Sequence, residues 1–397
     1  MRGTGTGDKP RLAVLTPVIG IPSEVWLERQ CRLFTRVTPV LMGWDVDPAW
    51  QDAGGLEVCR IPGRFGAPRS LARRVMGRLG MAQALDLPEV QRAALCGALA
   101  EARVDAVLCH FAWTGMVAEQ AMPRDMPLIL HVHGRDVSAL MSGTAYRAGM
   151  RRLLARADAL VAVGRHQIDR LAPFGLPART ALIPCGAPLD LFATGPLPRQ
   201  EEGGRVRFVS VGRISAEKGM IDSLRAFEAM AGEFPQAELV LVGYGPDLDA
   251  LRAAAEASPF APRIRLTGRL SPVEIAAELA GAQVYLQHSR EVGGWVEGFG
   301  VTLTEAGAAG LPLLASATGG LIDQIEEGEN GFLFPQGDSA AQAALMRRLA
   351  ANPALRAEMG KNARRLASRF DAGVMSKALE DVILSVLAAR RQAACPT

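Results

Sequence analysis

The sequence predicts a two-lobe α/β protein, each lobe a parallel sheet covered by helices on both faces. Short apolar runs alternate with amphipathic stretches through the first half of the chain, the pattern of buried parallel strands joined by helical crossovers. The stretch Pro184 to Gly204, PCGAPLDLFATGPLPRQEEGG, breaks every period with proline and glycine, and after it the same alternation restarts. The length, 397 residues, exceeds what one hydrophobic core usually serves.

Taken in order, the expected strands of the first lobe are Leu12 to Leu15, Val37 to Leu41, Leu56 to Ile61, Ala106 to Cys109, Leu128 to Val132, Ala159 to Val163 and Ala181 to Ile183. Helical periodicity fills Glu24 to Phe34, Glu89 to Ala102 and Ala145 to Ala155. The second lobe repeats the scheme with strands at Val206 to Val211, Glu238 to Val242, Ile264 to Leu266, Val284 to Leu286, Pro312 to Ala315 and Gly331 to Phe334. Asp371 to Arg391 reads as one long Ala- and Leu-rich helix. The expected domains are therefore 1–190, a linker at 191–204, 205–370, and a terminal helix at 371–397 that crosses the junction back to the first lobe. Ligands of open α/β sheets bind off the carboxyl ends of the strands, so the cleft between the lobes is the expected site.

Composition narrows the function. Charge nearly balances at a formal +3, which excludes a globally polyanion-seeking protein. Few aromatics and no interleaved basic groove speak against nucleic acid. Cysteines 31, 59, 96, 109, 185 and 395 lack CxxC pairing and read as reduced thiols. The opening MRGTGTGDKP has no apolar core of a signal peptide, and no apolar run reaches spanning length, so a cytoplasmic protein is expected. There is no zinc-type His or Cys spacing, so no metal is expected.

Two stretches carry the chemistry. In GGWVEGFGVTLTEAGAAG, Gly293 to Gly310, Glu297 and Glu305 stand eight positions apart around Gly298-Phe299-Gly300. A glycine turn feeding a helix from Val301 aims unpaired amides and the positive end of the helix dipole at one point, which suits a phosphate. Carboxylates beside such a seat suit a hydroxyl-rich or cationic group, such as a sugar ring or an oxocarbenium-like centre next to a leaving diphosphate. On this stretch alone, a glycine turn with two solvated glutamates is an equal alternative. In the second stretch, Gly212-Arg213-Ile214-Ser215-Ala216-Glu217-Lys218-Gly219 follows the first strand of the second lobe. An arginine fork and a lysine point charge five residues apart match a diphosphate.

Together GR-x4-KG, EGFG-x4-EA and Gly319-Gly320 in SATGGLIDQI resemble the retaining GT-B glycosyltransferases of family 4. IPCGAPLDLF at the junction, PVIGIPSEVWLERQ (Pro17 to Gln30), Cys109-His110-Phe111 and His131-Val-His133-Gly-Arg-Asp136 are similar to the bacterial members that build exopolysaccharides and cell-envelope glycans. The resemblance implies that Arg213 and Lys218 grip the donor diphosphate and offset the leaving group's charge. It implies that Glu297 contacts the transferred sugar near the reacting carbon, that the amides of Gly298, Phe299, Gly300 and Val301 hold phosphate oxygens, and that Glu305 holds the ribose. His133 corresponds to the donor-side histidine; Ser23, His110 and Asp136 are further candidates on the acceptor or donor side. Three of the five histidines, 110, 131 and 133, fall at the ends of two expected strands. A lone histidine there is more often structural, but this clustering favours a functional role for at least one of them, whereas Ser23 is equally an N-cap.

The implied activity is transfer of a sugar from a nucleoside diphosphate sugar, with no further cofactor and no metal, to a glycan or lipid-linked acceptor. Trp295-Val296 and Leu321-Ile322-Asp323 depart from the family pattern, which leaves the donor open. A nucleotide-sugar epimerase or hydrolase on the same plan, or a bilobed sugar-binding protein, are the alternatives. Finally, RIPGRFGAPRSLARRVMGRLGM, Arg60 to Met81, has six arginines and no acid. From Ser70 it reads as a basic amphipathic helix, and Arg69, Arg73, Arg74 and Arg78 form a patch suited to peripheral contact with an anionic membrane, or to plain solvation.

Overall fold

The computed structural model describes residues 9–21, 24–52, 54–63, 65, 87–193, 195, 197–198 and 204–394. Ser23, Arg69, Arg73, Arg74 and Arg78 lie outside them. The chain divides into two units, one of Met1–Gly186 with Ala372–Thr397, the other Ala187–Asp371.

The first unit holds β1 (Arg11–Leu15), β2 (Val18–Ile19), β3 (Thr38–Gly43), β4 (Asp45–Val46), β5 (Glu57–Arg60), β6 (Ala106–His110), β7 (Leu128–Val132), β8 (Ala159–Ala162) and β9 (Arg179–Leu182). Seven of them form one sheet in the order β5-β3-β1-β6-β7-β8-β9, parallel throughout, and β2 pairs with β4 beside it. AVLCH, LILHV and ALVA are buried at every position because central parallel strands are covered on both faces. Alternate residues feed two cores: Val107, Cys109, Leu128 and Leu130 on one face, Leu108, Ile129 and Val161 on the other.

The terminal helix, Ala372–Ala394, belongs to the second of these cores, where Leu379, Ile383, Val386 and Leu387 repeat at helical spacing. Its buried Glu380 accepts hydrogen bonds from the amides of Thr35, Arg36 and Val37 at 2.7, 2.6 and 3.2 Å, and Arg390 Nε reaches Asp158 Oδ1 at 2.7 Å.

The second unit carries β10 (Val206–Val211), β11 (Ala237–Val242), β12 (Ile264–Gly268), β13 (Val284–Gln287), β14 (Leu313–Ser316) and β15 (Gly331–Phe334), parallel in the order β12-β11-β10-β13-β14-β15. The strand order reverses direction at β1/β6 in one unit and at β10/β13 in the other, and it is off the carboxyl ends of such strands that a crevice opens. The break in the chain comes earlier than 191–204. Residues 187–190 already belong to the second unit, because Leu189 and Phe192 of the short helix Leu189–Phe192 bury in its core. Among the described residues no helix is long and apolar enough to cross a membrane.

Candidate functional site

In the second unit the loop after β10 and the loop after β13 are joined at their backbones, Arg290 N donating to Glu217 O at 2.8 Å. Gly219, at φ +58°, lets the turn after Lys218 lie against the end of β13: a Cβ there would stand 2.0 Å from the His288 carbonyl oxygen. Lys218 is thereby brought to Glu297, its Nζ 2.5 Å from Oε2. Ser289 Oγ donates to the same oxygen at 2.9 Å and Gln287 Nε2 lies 3.3 Å from it. Glu297 is only 5 % exposed, so this carboxylate exchanges water for one cation and two neutral donors. The Trp295 ring lies 5.2 Å from Lys218 Nζ, near enough for a cation–π contact.

The Glu297 backbone is held as firmly as its side chain. Gly320 N donates to Glu297 O at 3.1 Å, and Gly319, at φ +52°, passes so close that a Cβ would stand 2.0 Å from that oxygen. The Gly-Gly pair thus fixes the loop that presents Glu297. Beyond it Gly300 adopts the left-handed conformation and the helix Val301–Ala308 starts with no side-chain cap, as an anion seat requires. Glu305 is half-buried on this helix. Tyr285, on β13, meets the first turn of this helix, its hydroxyl 2.8 Å from Thr302 Oγ1. Burial holds that phenol above its ordinary range, and the nearby Glu305 and Glu297 charges add to the effect.

Arg213 is not in this cluster. Its side chain is 60 % exposed and pairs with Glu217, one turn on. Sequence reasoning missed Gln287, Ser289 and Trp295: the first two are ordinary polar residues at a strand end, and the third stood out only as a departure from the family pattern.

In the first unit, parallel pairing of β6 with β7 sets His110 beside His131, and His133 follows two residues on. His110 Nδ1 and His133 Nε2 are 2.9 Å apart, His133 Nδ1 is 3.4 Å from Cys185 Sγ, and His131 Nε2 is 3.2 Å from the Ile183 carbonyl oxygen. Each of the three residues offers a ligand atom within 4.8 Å of the others, so the fold assembles a histidine cluster where linear spacing showed none. Burial keeps all three imidazoles neutral, pushing His131 down to about 4 and His110 and His133 well below their ordinary value. The buried Asp136 does not touch the rings. Its carboxyl accepts from the amides of Ala112 (3.0 Å), His133 (3.2 Å) and Gly134 (2.8 Å) and so fixes the turn that carries His133. Trp26 covers the cluster with its ring centroid 4.4 Å from that of His133.

Off the end of β1 in the same unit, Glu24 lines a recess with Thr16, Gly20, Glu28 and Trp50, and burial raises its carboxyl to about 7. The unfolded chain ionises this group near its ordinary 4.5, so the stability it lends is intact below that pH and is lost as pH rises through about 7. Glu24→Gln is therefore expected to gain melting temperature relative to the parent between about pH 5 and about pH 8. A difference that stays constant between those two conditions, measured by thermal melts, overturns the burial effect.

Comparison with known proteins divides along the same two units. The family described as Glycosyl transferases group 1 matches residues 198–366, and Glycosyl transferase 4-like domain matches 27–186. A GDP-mannose-dependent alpha-(1-6)-phosphatidylinositol monomannoside mannosyltransferase of Mycolicibacterium smegmatis is 30% identical over 242 residues, 59% of this chain and 63% of that protein. The amylovoran biosynthesis glycosyltransferase AmsK of Erwinia amylovora is 30% identical over 261 residues, 62% of this chain and 61% of its own. The match thus spans less than two thirds of either relative. Among solved structures, sucrose-phosphate synthase from Thermosynechococcus elongatus has a TM-score of 0.73 at 19% identity, covering 96% of this chain and all of that one. Anabaena HepE in complex with UDP has 0.72 at 18%, covering 95% and 100%. These likenesses give the fold, GT-B, with two Rossmann-like lobes.

Proposed function

We propose, from the premise that the chain belongs to the group 1 glycosyl transferases, that it moves a sugar from a nucleoside diphosphate sugar to a hydroxyl of a glycan or lipid-linked glycan. The reaction retains anomeric configuration and serves bacterial polysaccharide or cell-envelope synthesis. The observation that carries this reading is the buried Glu297 in contact with Lys218 beside an uncapped helix start. Lysine has three donors. One meets Glu297, and the others remain for a diphosphate whose oxygens also take the amides of Gly298 to Val301. Arg213, on the same loop, turns from Glu217 to the phosphates when they arrive. Glu297 receives the transferred sugar next to the reacting carbon, where positive charge develops, and Glu305 takes the ribose hydroxyls.

His133 has both ring nitrogens engaged inside its own unit. In this reading it serves the donor side, which requires its ring to turn from one of these partners as Arg213 turns from Glu217. The arginines at 69, 73, 74 and 78 would hold the enzyme reversibly at an anionic membrane surface.

Thermal stabilisation by nucleotide sugars, starting with GDP-mannose and UDP-glucose, followed by transfer assays on lipid-linked acceptors, tests the reading. Release of free sugar without any acceptor dependence overturns it in favour of a hydrolase. Because Lys218, Arg213 and the helix terminus offset the diphosphate charge, transfer is expected without added magnesium or manganese. Strict dependence on either ion, measured after treatment with EDTA, overturns that account.

A further inference from the structure

We propose that Phe111 and Trp113 form the floor of the acceptor subsite and take a pyranose ring by its apolar face. The inference rests on the function proposed above and names the class of its acceptor, a glycan that presents a sugar ring rather than an open-chain polyol. The two side-chain rings are parallel to within 7°, with centroids 4.6 Å apart, and both are partly exposed. Trp113 is seated against the first core of its unit and Trp26 against the second, whereas Phe111 packs into neither. Its ring centroid stands 4.9 Å from that of His133 and 6.3 Å from that of Trp26.

Phe111 is held at φ +67° and ψ 137°, an extended backbone of positive φ that is nearly reserved for glycine. β6 ends at His110 and the helix Ala112–Ala118 begins at once, so the single residue between them makes the turn. A sharp strand-to-helix turn projects its side chain off the carboxyl edge of a parallel sheet, where ligands of α/β folds bind. The bonds that fix this turn are backbone bonds: Phe111 N donates to His131 O at 2.9 Å, and Phe111 O accepts from Thr114 N and Gly115 N at 3.1 and 3.2 Å. Glycine would make each of them without strain, so neither the turn nor a core accounts for the phenyl group.

The chemistry of the rings selects the ligand. They are uncharged: a phenyl group, two indoles and an imidazole that burial keeps neutral. Such a surface does not attract a phosphate, for which Lys218 and the uncapped helix of the second unit are equipped. It suits a neutral body with one apolar face. A pyranose has that face, because C–H bonds on one side of the ring present a weakly positive edge to the negative face of an aromatic ring, while the hydroxyls point outward. An open-chain polyol has no such face. Position separates this sugar from the donor's: His133 serves the donor side, Phe111 is its neighbour, and an acceptor must lie within bonding reach of the transferred sugar.

The test uses the full chain. In saturation-transfer NMR with methyl α-D-mannopyranoside, methyl β-D-galactopyranoside and glycerol, the parent is expected to saturate the protons on one ring face of at least one pyranoside and to leave glycerol untouched. Phe111→Gly and Trp113→Leu should each weaken pyranoside binding by about 3- to 10-fold, the contribution of one aromatic contact, and Trp113→Phe should keep most of it. Melting shifts with GDP-mannose and UDP-glucose, taken on the same proteins, should be the same in the variants as in the parent. Phe111→Gly relieves the turn, so it decides the matter should Trp113→Leu fail to fold. Saturation of neither pyranoside, equal saturation of glycerol, or affinity that survives in the variants overturns the proposal. So does loss of the nucleotide-sugar shifts along with pyranoside binding, which would put the donor sugar on these rings. Absence of any nucleotide-sugar shift in the parent counts against the proposed function instead, and the pyranoside arm still decides whether these rings hold a sugar.

Discussion

Glu297→Gln is expected to lower turnover at least about a hundredfold while nucleoside diphosphate still binds. The substitution keeps shape and volume, and the amide oxygen can stay near Ser289 Oγ and Lys218 Nζ, so the loop held by Gly319 and Gly320 has no reason to move. What is lost is a negative charge held in a buried position, where solvent screens it little. If that charge faces the sugar carbon, its effect appears as the leaving group departs and positive charge develops, so kcat falls and nucleotide affinity does not. Steady-state kinetics with calorimetric titration of the nucleotide separates the two. Near-normal turnover removes Glu297 from the reaction, and lost nucleotide affinity moves it from the sugar to the phosphate.

Lys218→Ala is expected to weaken donor binding and slow chemistry together, by about 2 to 4 kcal/mol in combined kcat/KM, since a charge-assisted contact strengthens as the diphosphate leaves. The structure adds a second consequence, because Lys218 neutralises a buried carboxylate at 2.5 Å. Removing the cation alone leaves Glu297 with two neutral donors and destabilises the fold by about 1 to 3 kcal/mol. Removing both charges, as Lys218→Met with Glu297→Gln, should restore much of that stability without restoring activity. Denaturant melts of Lys218→Met, Glu297→Gln and the double make the cycle. Strict additivity in stability would show that the pair is not coupled, and unchanged diphosphate affinity in Lys218→Ala would refute the phosphate role. Arg213→Ala, starting from an exposed side chain, should cost affinity without the stability penalty.

The strands were legible because both sheets are parallel and buried on two faces, so VLCH or LVLV reads as an unbroken apolar run whatever surrounds it. The start of the second unit was not, because Leu189 and Phe192 are apolar residues set among prolines and glycines, where composition outweighs two anchors. Glu297 and Lys218 could each be picked out by motif, yet their contact spans 79 positions and depends on the Glu217–Arg290 backbone link. The three histidines could be grouped by their places at two strand ends, but not their contacts, because His110 and His131 meet only through strand register. The role of Trp295 against Lys218 needed the loop's shape, which no linear pattern encodes.

The placement of the terminal helix sets the order in which the chain can become a protein. Glu380 accepts from the Thr35 amide across 345 residues of sequence. At about 5 to 20 residues per second, a ribosome needs roughly 17 to 70 seconds to deliver that partner. Throughout this interval the face made by Leu108, Ile129 and Val161 lacks Leu379, Ile383, Val386 and Leu387. The second unit has no such debt, since Ala187–Asp371 is continuous. The half synthesised last therefore closes first, and the half synthesised first spends translation with an apolar face open, the kind of surface on which chaperones and aggregation act.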